Sequence, residues 1–300
     1  MKIAITGATG FIGTALVQQL LLSGHELRIW HRANSNLAPF QNYKSQIELV
    51  EGELGNGLED AFIQGCDAVV HAGLWREARS FQQPPSSVTE YARVNVLGSL
   101  ALMESAVKLN VSRFVFVSTC AVHDVILADR PLDESHPLWA KTHYGAHKAA
   151  VEKFVHSYGL GQGFPICALR PTGVYGIMPN PQHSKWFELI QSIKQGSATT
   201  VSKGGKEVHV DDVAKAISIL LSANENDIVG ESFACYDRYI SEYDVASCAK
   251  RLSGSDAEII GGQRRPQNEI ITEKIEKLGM IFGGDAILEQ TVESLLCLLY

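Results

Sequence analysis

Six short apolar runs mark the first 170 residues: KIAIT (2–6), ELRIW (26–30), IELVE (47–51), AVVHA (68–72), RFVFVS (113–118) and PICALR (165–170). Several are apolar at consecutive positions, the pattern of parallel strands covered by helices on both faces. Between them apolar residues recur at helical spacing. FIGTALVQQLLLSG closes at Gly24, where a C-cap glycine belongs, and VLGSLALMESAVKLN repeats the pattern. Strand and helix in alternation predict an α/β protein with a doubly wound parallel sheet. After Pro171 the regularity is lost. Residues 171–205 carry many Gly, Pro, Ser and Thr around one helical stretch, SKWFELIQSIKQG; VHVDDVAKAISILLSA then reads as a strand and a helix, and helices are predicted at 241–252 and 285–299. The pattern predicts a sheet domain over 1–170 that also receives segments near 206–223, and a small C-terminal α/β lobe built from 171–205 and 224–300.

Composition narrows the function classes. The chain has 300 residues, 45% hydrophobic and 20% charged, enough for a large core and a lobe. Its formal net charge of −7 comes with no Lys/Arg-rich stripe of the kind that phosphate-backbone binding requires, so nucleic acid is not expected as a partner. No apolar run approaches the roughly 18 residues needed to span a bilayer. The opening MKIAITGATGFIG is broken by glycines and does not resemble a secretory signal, so a cytoplasmic location without a membrane partner is expected. The six cysteines are scattered, with no CxxC pair and no Cys/His cluster at zinc spacing; they read as reduced core residues, and no metal is expected.

Candidate chemistry begins at Gly7-Ala8-Thr9-Gly10-Phe11-Ile12-Gly13, directly after the first strand and at the head of the first helix. Such a turn lets backbone N–H groups and the positive helix end face a pyrophosphate. Gly7 permits the tight turn, Gly10 removes a side chain where phosphate must approach, and Gly13 lets the helix pack closely. The second strand ends Trp30-His31-Arg32 without the acid expected when the adenosine ribose has a free 2′-hydroxyl. Arg32 can instead grip a 2′-phosphate by charge-assisted, fork-like hydrogen bonds, which favours NADP over NAD.

In HYGAHKAAVEKF, Tyr144 and Lys148 stand four apart on a predicted helix, which puts phenol and ammonium on one face. A free phenol has a pKa of about 10, too high to shuttle protons at neutral pH. Lys148 is expected to lower it. The paired acids Asp211 and Asp212 precede AKAISILLSA, where one of them is expected to cap a helix rather than bind metal. His71, ending an apolar strand, reads as a packed structural histidine.

Four motifs in this order, GATGFIG (7–13), HAG (71–73), VSTCAV (117–122) and Tyr144-x-x-x-Lys148, resemble the extended short-chain dehydrogenase/reductase family, also called the NAD-dependent epimerase/dehydratase family. Asn95 in VNVLGS, LRPTGVYG (169–176) and VHVDDVA (208–214) extend the likeness over nearly the whole chain. The resemblance implies a Rossmann-type domain that binds NADP or NAD. It assigns Gly7, Thr9, Gly10, Phe11, Ile12 and Gly13 to the pyrophosphate turn, Glu53 and Leu54 to the adenine, and Ala72 and Gly73 to the pyrophosphate side. Ser118 then sits by the cofactor, Lys148 holds the nicotinamide ribose, and Pro171 lies beside the nicotinamide amide. Thr119 bonds the substrate oxygen, Tyr144 exchanges the proton, and Asn95 orders the site. A family-type homodimer would pair helices near 87–109 and 142–158.

The chain also departs from the family pattern. His123-Asp124 replaces the usual Tyr-Gly, and Cys120-Ala121 replaces the Asp-Glu that dehydratase chemistry needs. Gly173 stands where many nucleotide-sugar members carry Asn, and Lys206-Glu207 replaces a frequent Arg-Asp. The resemblance therefore implies an NAD(P)-dependent oxidoreductase acting on a small-molecule secondary alcohol or ketone. The alternatives are a nucleotide-sugar epimerase with tightly held NAD and a non-catalytic NADPH-sensing protein on the same fold.

Overall fold

The computed structural model describes residues 1–77 and 83–299. The chain opens with β1 (Lys2–Thr6), α1 (Phe11–Leu22), β2 (Glu26–His31), β3 (Ile47–Glu51), α2 (Glu59–Ile63) and β4 (Ala68–His71). It continues with α3 (Val88–Ala92), α4 (Gly98–Lys108), β5 (Arg113–Val117), α5 (His143–Gln162) and β6 (Ile166–Pro171). Beyond these come β7 (Gly173–Tyr175), α6 (Phe187–Lys194), β8 (Thr199–Thr200), β9 (Gly204–His209) and α7 (Val210–Ser222). Last are β10 (Glu231–Cys235), β11 (Arg238–Ser241), α8 (Glu242–Ser253), β12 (Ile259–Ile260), α9 (Glu273–Glu276) and α10 (Gly284–Cys297).

Seven strands form one parallel sheet in the order β10-β6-β5-β4-β1-β2-β3. Central β4 and β6 are buried at every position, as their unbroken apolar runs require, whereas edge strand β3 is exposed at Glu48, Leu49 and Glu51. One face packs a core of Phe62, Leu102, Met103, Phe114, Phe116 and Val151. Helix α1 stops at the predicted place: Gly24 takes φ +76° and the His25 N–H returns to Leu20 O at 3.1 Å, a left-handed glycine closure. A five-residue π-helical stretch, Arg93–Leu97, joins α3 to α4 and carries Asn95.

The chain divides into two compact units, the larger comprising 1–171, 213–235 and 271–280, the smaller 172–212, 236–270 and 281–300. This corrects the predicted division at three places. Residues 206–212 belong to the smaller unit, because β9 pairs with β7 and β11 rather than with the large sheet. Residues 224–235 and 271–280, predicted in the lobe, belong to the larger one. Strand β10 pairs in parallel with β6 from Glu231↔Cys167 to Cys235↔Pro171, and the Ile271 N–H donates to Leu132 O at 3.0 Å. A five-residue strand whose partner lies over sixty positions away carries no local sign of its sheet.

The smaller unit contains the sheet β11-β9-β7, the pair β12-β8, and a core in which α6, α8 and α10 contribute Ile190, Ile193, Val245, Val292 and Leu295. Within it Gly173 is paired with Glu207, and a side chain at Gly173 would begin 2.5 Å from Glu207 Oε2. Neither predicted acid sits in the capping position. Asp211 and Asp212 lie inside the first turn of α7, and the preceding His209 accepts the Asp211 N–H at Nδ1 (3.2 Å).

Candidate active site

The glycine turn joins β1 to α1 as predicted. Gly7 adopts φ +75°, and a Cβ there would meet Ala72 O at 2.5 Å and Gly73 N at 2.7 Å, so the turn rests directly on the segment after β4. The Gly73 N–H donates to Thr6 Oγ1 (3.0 Å) and fixes that contact. Gly13 is needed for a different reason from the one expected: its Cβ would collide with Gly7 O and Ala8 of the turn itself rather than with the sheet. At Gly10 a Cβ would have only Gly7 O nearby, at 3.2 Å. No side chain caps α1 and no acid stands in its first turn, so the positive helix end after Thr9 and Gly10, opened by Phe11 and Ile12, is not neutralised by its own side chains.

Arg32 lies exposed just after β2, its backbone N–H bound to Ser35 Oγ at 3.0 Å. It has no ion pair among the described residues. Glu53 is exposed and Leu54 half-buried after β3; register places β2 and β3 side by side, with His31 opposite Glu51. Arg32 and Glu53 thus follow adjacent strand ends.

Three successive residues at the end of β5 meet one stripe of α5. Lys148 Nζ donates to Val117 O (2.7 Å) and lies 4.5 Å from the Phe116 ring centroid. Ser118 Oγ donates to the Glu152 carboxylate. Thr119 accepts the Ala121 N–H (3.1 Å), and its hydroxyl lies on the Tyr144 side of the stripe, where it acts to lower the phenol's pKa. The helix begins where it must for this arrangement, because Thr142 caps it by accepting the Gly145 N–H at 3.0 Å.

Burial pushes the Tyr144 phenol above its ordinary range, against the opposing effects of the Thr119 hydrogen bond and the Arg76 charge. Lys148 does not lower it here as the sequence led one to expect: its ammonium is turned to Val117 O, and burial pushes the lysine itself down to about 7 while the Glu152 charge acts upward. Burial thus favours the protonated phenol at Tyr144 and brings Lys148 toward neutrality.

Asn95 lies outside the Tyr144–Lys148 stripe. Its side chain accepts the Trp75 N–H (2.9 Å) and donates to Trp75 O and Tyr91 O (both 3.0 Å), pinning the loop after β4. Tyr91 in turn bonds His147 Nδ1 at 2.9 Å, and His147 packs edge-on to Tyr144. Burial pushes His147 down to about 2 and His71 to about 3. His71 is bonded on both ring nitrogens, to Thr6 Oγ1 (2.6 Å) and Ser99 Oγ (2.8 Å), and is structural as read. Pro171 is buried at the end of β6.

Sequence reasoning missed the acid–base pair beneath the site. Glu152 and Arg170 form a buried ion pair at 2.6 Å, and Arg170 also reaches His123 Nε2 (3.2 Å) and Glu134 O (3.0 Å). The available signal was the four-residue spacing, which continues from Tyr144 and Lys148 to Glu152. His123, noted as a departure from the family's Tyr, is used to cover Arg170. Among the described residues no group of three or more His, Cys, Asp and Glu side chains is placed to hold a metal, and no helix is long and apolar enough to cross a membrane.

A parallel seven-stranded sheet with a glycine turn after β1 and Tyr-x-x-x-Lys on the helix before β6 defines the extended short-chain dehydrogenase/reductase class. The chain belongs to the NAD dependent epimerase/dehydratase family, whose sequence profile matches residues 3–235. It is similar to the 3-beta-hydroxysteroid dehydrogenase of Mycolicibacterium neoaurum, 28% identical over 224 residues that make up 70% of this chain and 57% of that protein. The chain thus spans little more than half the length of that relative. It is also similar to the UDP-glucose 4-epimerase of Corynebacterium glutamicum, 26% identical over 75% of this chain and 72% of the other. Among solved structures, UDP-glucuronic acid 4-epimerase from Bacillus cereus, in complex with UDP-glucuronic acid and NAD, shares the fold with a TM-score of 0.80 at 22% identity, covering 100% of both chains.

Proposed function

We propose that this chain is an NAD(P)-dependent oxidoreductase that reduces a ketone, or oxidises the matching secondary alcohol, with Tyr144 exchanging the proton at the substrate oxygen. The observation that carries the reading is the stripe of Tyr144 and buried Lys148, one helical turn apart on α5 and set against the end of β5, where Lys148 Nζ donates to Val117 O at 2.7 Å. A bound nicotinamide dinucleotide supplies or accepts hydride at the substrate carbon. The chain's own groups do the rest. Gly10 and the uncapped start of α1 receive the pyrophosphate, Lys148 holds the ribose, Thr119 bonds the substrate oxygen, and Tyr144 gives up its proton as that oxygen gains charge. A phenol kept protonated by burial is ready for the reductive direction.

Dehydratase chemistry has no acid to use here, since Cys120 stands in its place with its Sγ donating to Arg170 O (3.0 Å) and its thiol pushed up to about 12. The epimerase likeness favours a second reading, in which tightly held NAD takes hydride from a sugar carbon and returns it to the other face. Reaction with 4-deuterated NADH or NADPH and a panel of ketones separates these. Deuterium on the product carbinol carbon is expected. No transfer to any ketone, with nucleotide retained through purification and inversion of a sugar carbon, would favour the epimerase.

Arg32 decides the cofactor. A charge-assisted contact to a 2′-phosphate worth ~1.5–3 kcal/mol gives about a tenfold to hundredfold preference for NADPH over NADH. Arg32→Ala is expected to erase that preference and leave NADH affinity intact. Fluorescence titration of both nucleotides checks it, and equal affinities in the unaltered protein would remove the argument for NADP.

A further inference from the structure

Glu152 is wholly buried, yet it is the most connected carboxylate near the site. Arg170 Nη2 reaches Oε2 at 2.6 Å, and Arg170 Nε lies 3.1 Å from Oε1 and 3.0 Å from Oε2. Ser118 Oγ donates to Oε1, and Ser232 Oγ of β10 donates to Oε2 at 3.2 Å. Glu152 thereby ties α5 to three strands of the sheet, β5 through Ser118 at its end, β6 through Arg170 and β10 through Ser232. The β5 end is matched to α5 residue by residue: Val117 to Lys148, Ser118 to Glu152, Thr119 to Tyr144. Ser118, expected beside the cofactor, spends its hydroxyl on this tie.

We propose that Glu152 is a positioning residue of the site: its carboxylate locks the end of β5 against the Tyr144–Lys148 stripe and, one helical turn along α5 from Lys148, supplies the negative charge that steadies the buried ammonium. The charge has no substitute nearby. Around Lys148 stand the Val117 carbonyl, the Phe116 ring, Tyr144, and His71 and His147, both held neutral by burial. Around Glu152 stand Arg170, Ser118 and Ser232, with Lys148 and His156 on its own helix, Cys120 and His123 on the turn after β5, and Glu134, whose carboxylate accepts the Ala234 N–H at 2.8 Å. Of the two carboxylates, Glu152 is the one on the helix of Lys148 and the one that acts on it. Without it, Lys148 loses its proton at lower pH, and the β5 end loses one of its three ties to α5.

The proposal rests on the proposed function for the role of Lys148, but its test does not need cofactor or substrate. With lysine labelled by carbon-13 at Cε, the Lys148 signal is assigned by its loss in Lys148→Met and followed through a pH titration. Glu152→Gln is expected to lower the Lys148 midpoint by roughly one pH unit or more, the usual effect of an opposite charge at close range. A single neutralisation strands Arg170 in the interior and threatens folding. The double variant Glu152→Gln with Arg170→Met leaves no unpaired buried charge and is expected to move the midpoint in the same direction. Glu152→Asp, which keeps the charge, should restore most of it. In ketone reduction, kcat of Glu152→Gln should fall off at lower pH than that of the unaltered protein. A Lys148 midpoint unmoved in both neutralised variants overturns the proposal, whatever the cofactor. An absence of hydride transfer by the unaltered protein, with the midpoint shift present, instead overturns the oxidoreductase reading and leaves the electrostatic role of Glu152 standing.

Discussion

Tyr144→Phe is expected to lower kcat by about 100-fold or more while leaving cofactor affinity nearly unchanged, because it removes the transferable proton and keeps the ring. The ring's packing against His147, at 5.6 Å between centroids, survives the change. What is lost is the hydroxyl that Thr119 holds and the substrate oxygen would meet. The stability change should be modest, about 1 kcal/mol or less, since one phenolic hydroxyl is removed and the ring and the Thr119 bond to the Ala121 N–H are kept. Single-turnover reduction of a responsive ketone, with nucleotide titration alongside, separates the two effects. Retention of more than a tenth of the rate when chemistry is limiting would remove Tyr144 from its assigned role.

Much of this site was legible because its chemistry is local in sequence. The glycine turn occupies seven consecutive residues between a strand and a helix, and Tyr144 and Lys148 share one helix face, so periodicity alone places each group. The six strand predictions through residue 171 match the observed ones to within a residue at either end, since central parallel strands must be apolar on both faces. What could not be read is what depends on distant pairing. Strand β10 joins the large sheet through β6, and Glu152 gains its meaning from Ser118, Arg170 and Ser232, which lie 34, 18 and 80 positions away. The direction of the Tyr144 shift was also out of reach, because burial is a tertiary property and here it outweighs the charges expected to oppose it. The work of the Asn95 side chain, pinning Trp75, depends on a contact twenty positions away and leaves no mark in the sequence.

Gly10→Val is expected to weaken nicotinamide dinucleotide binding by about 100-fold or more, equivalent to ~2.7 kcal/mol, with the fold kept. The three glycines of the turn differ in what a side chain would meet, and that difference makes Gly10 the informative one. At Gly7 the backbone has φ +75° and Ala72 O stands 2.5 Å from a Cβ, while at Gly13 the Cβ would run into Gly7 O; substitution at either must deform the turn. Gly10 has φ −81° and ψ 175°, extended backbone that valine adopts readily, and its only close neighbour is Gly7 O at 3.2 Å. It makes no side-chain cap to α1 that the substitution could remove. The added isopropyl group therefore occupies open space at the head of the helix, where an anion would meet the N-terminal N–H groups. Calorimetric titration with NADH and NADPH measures the loss, and thermal melting shows whether the sheet domain is intact. Gly10→Ala, one carbon rather than three, should fall between the two. Full affinity in a folded Gly10→Val protein would mean that the turn only joins β1 to α1, and that the dinucleotide, if bound, lies elsewhere.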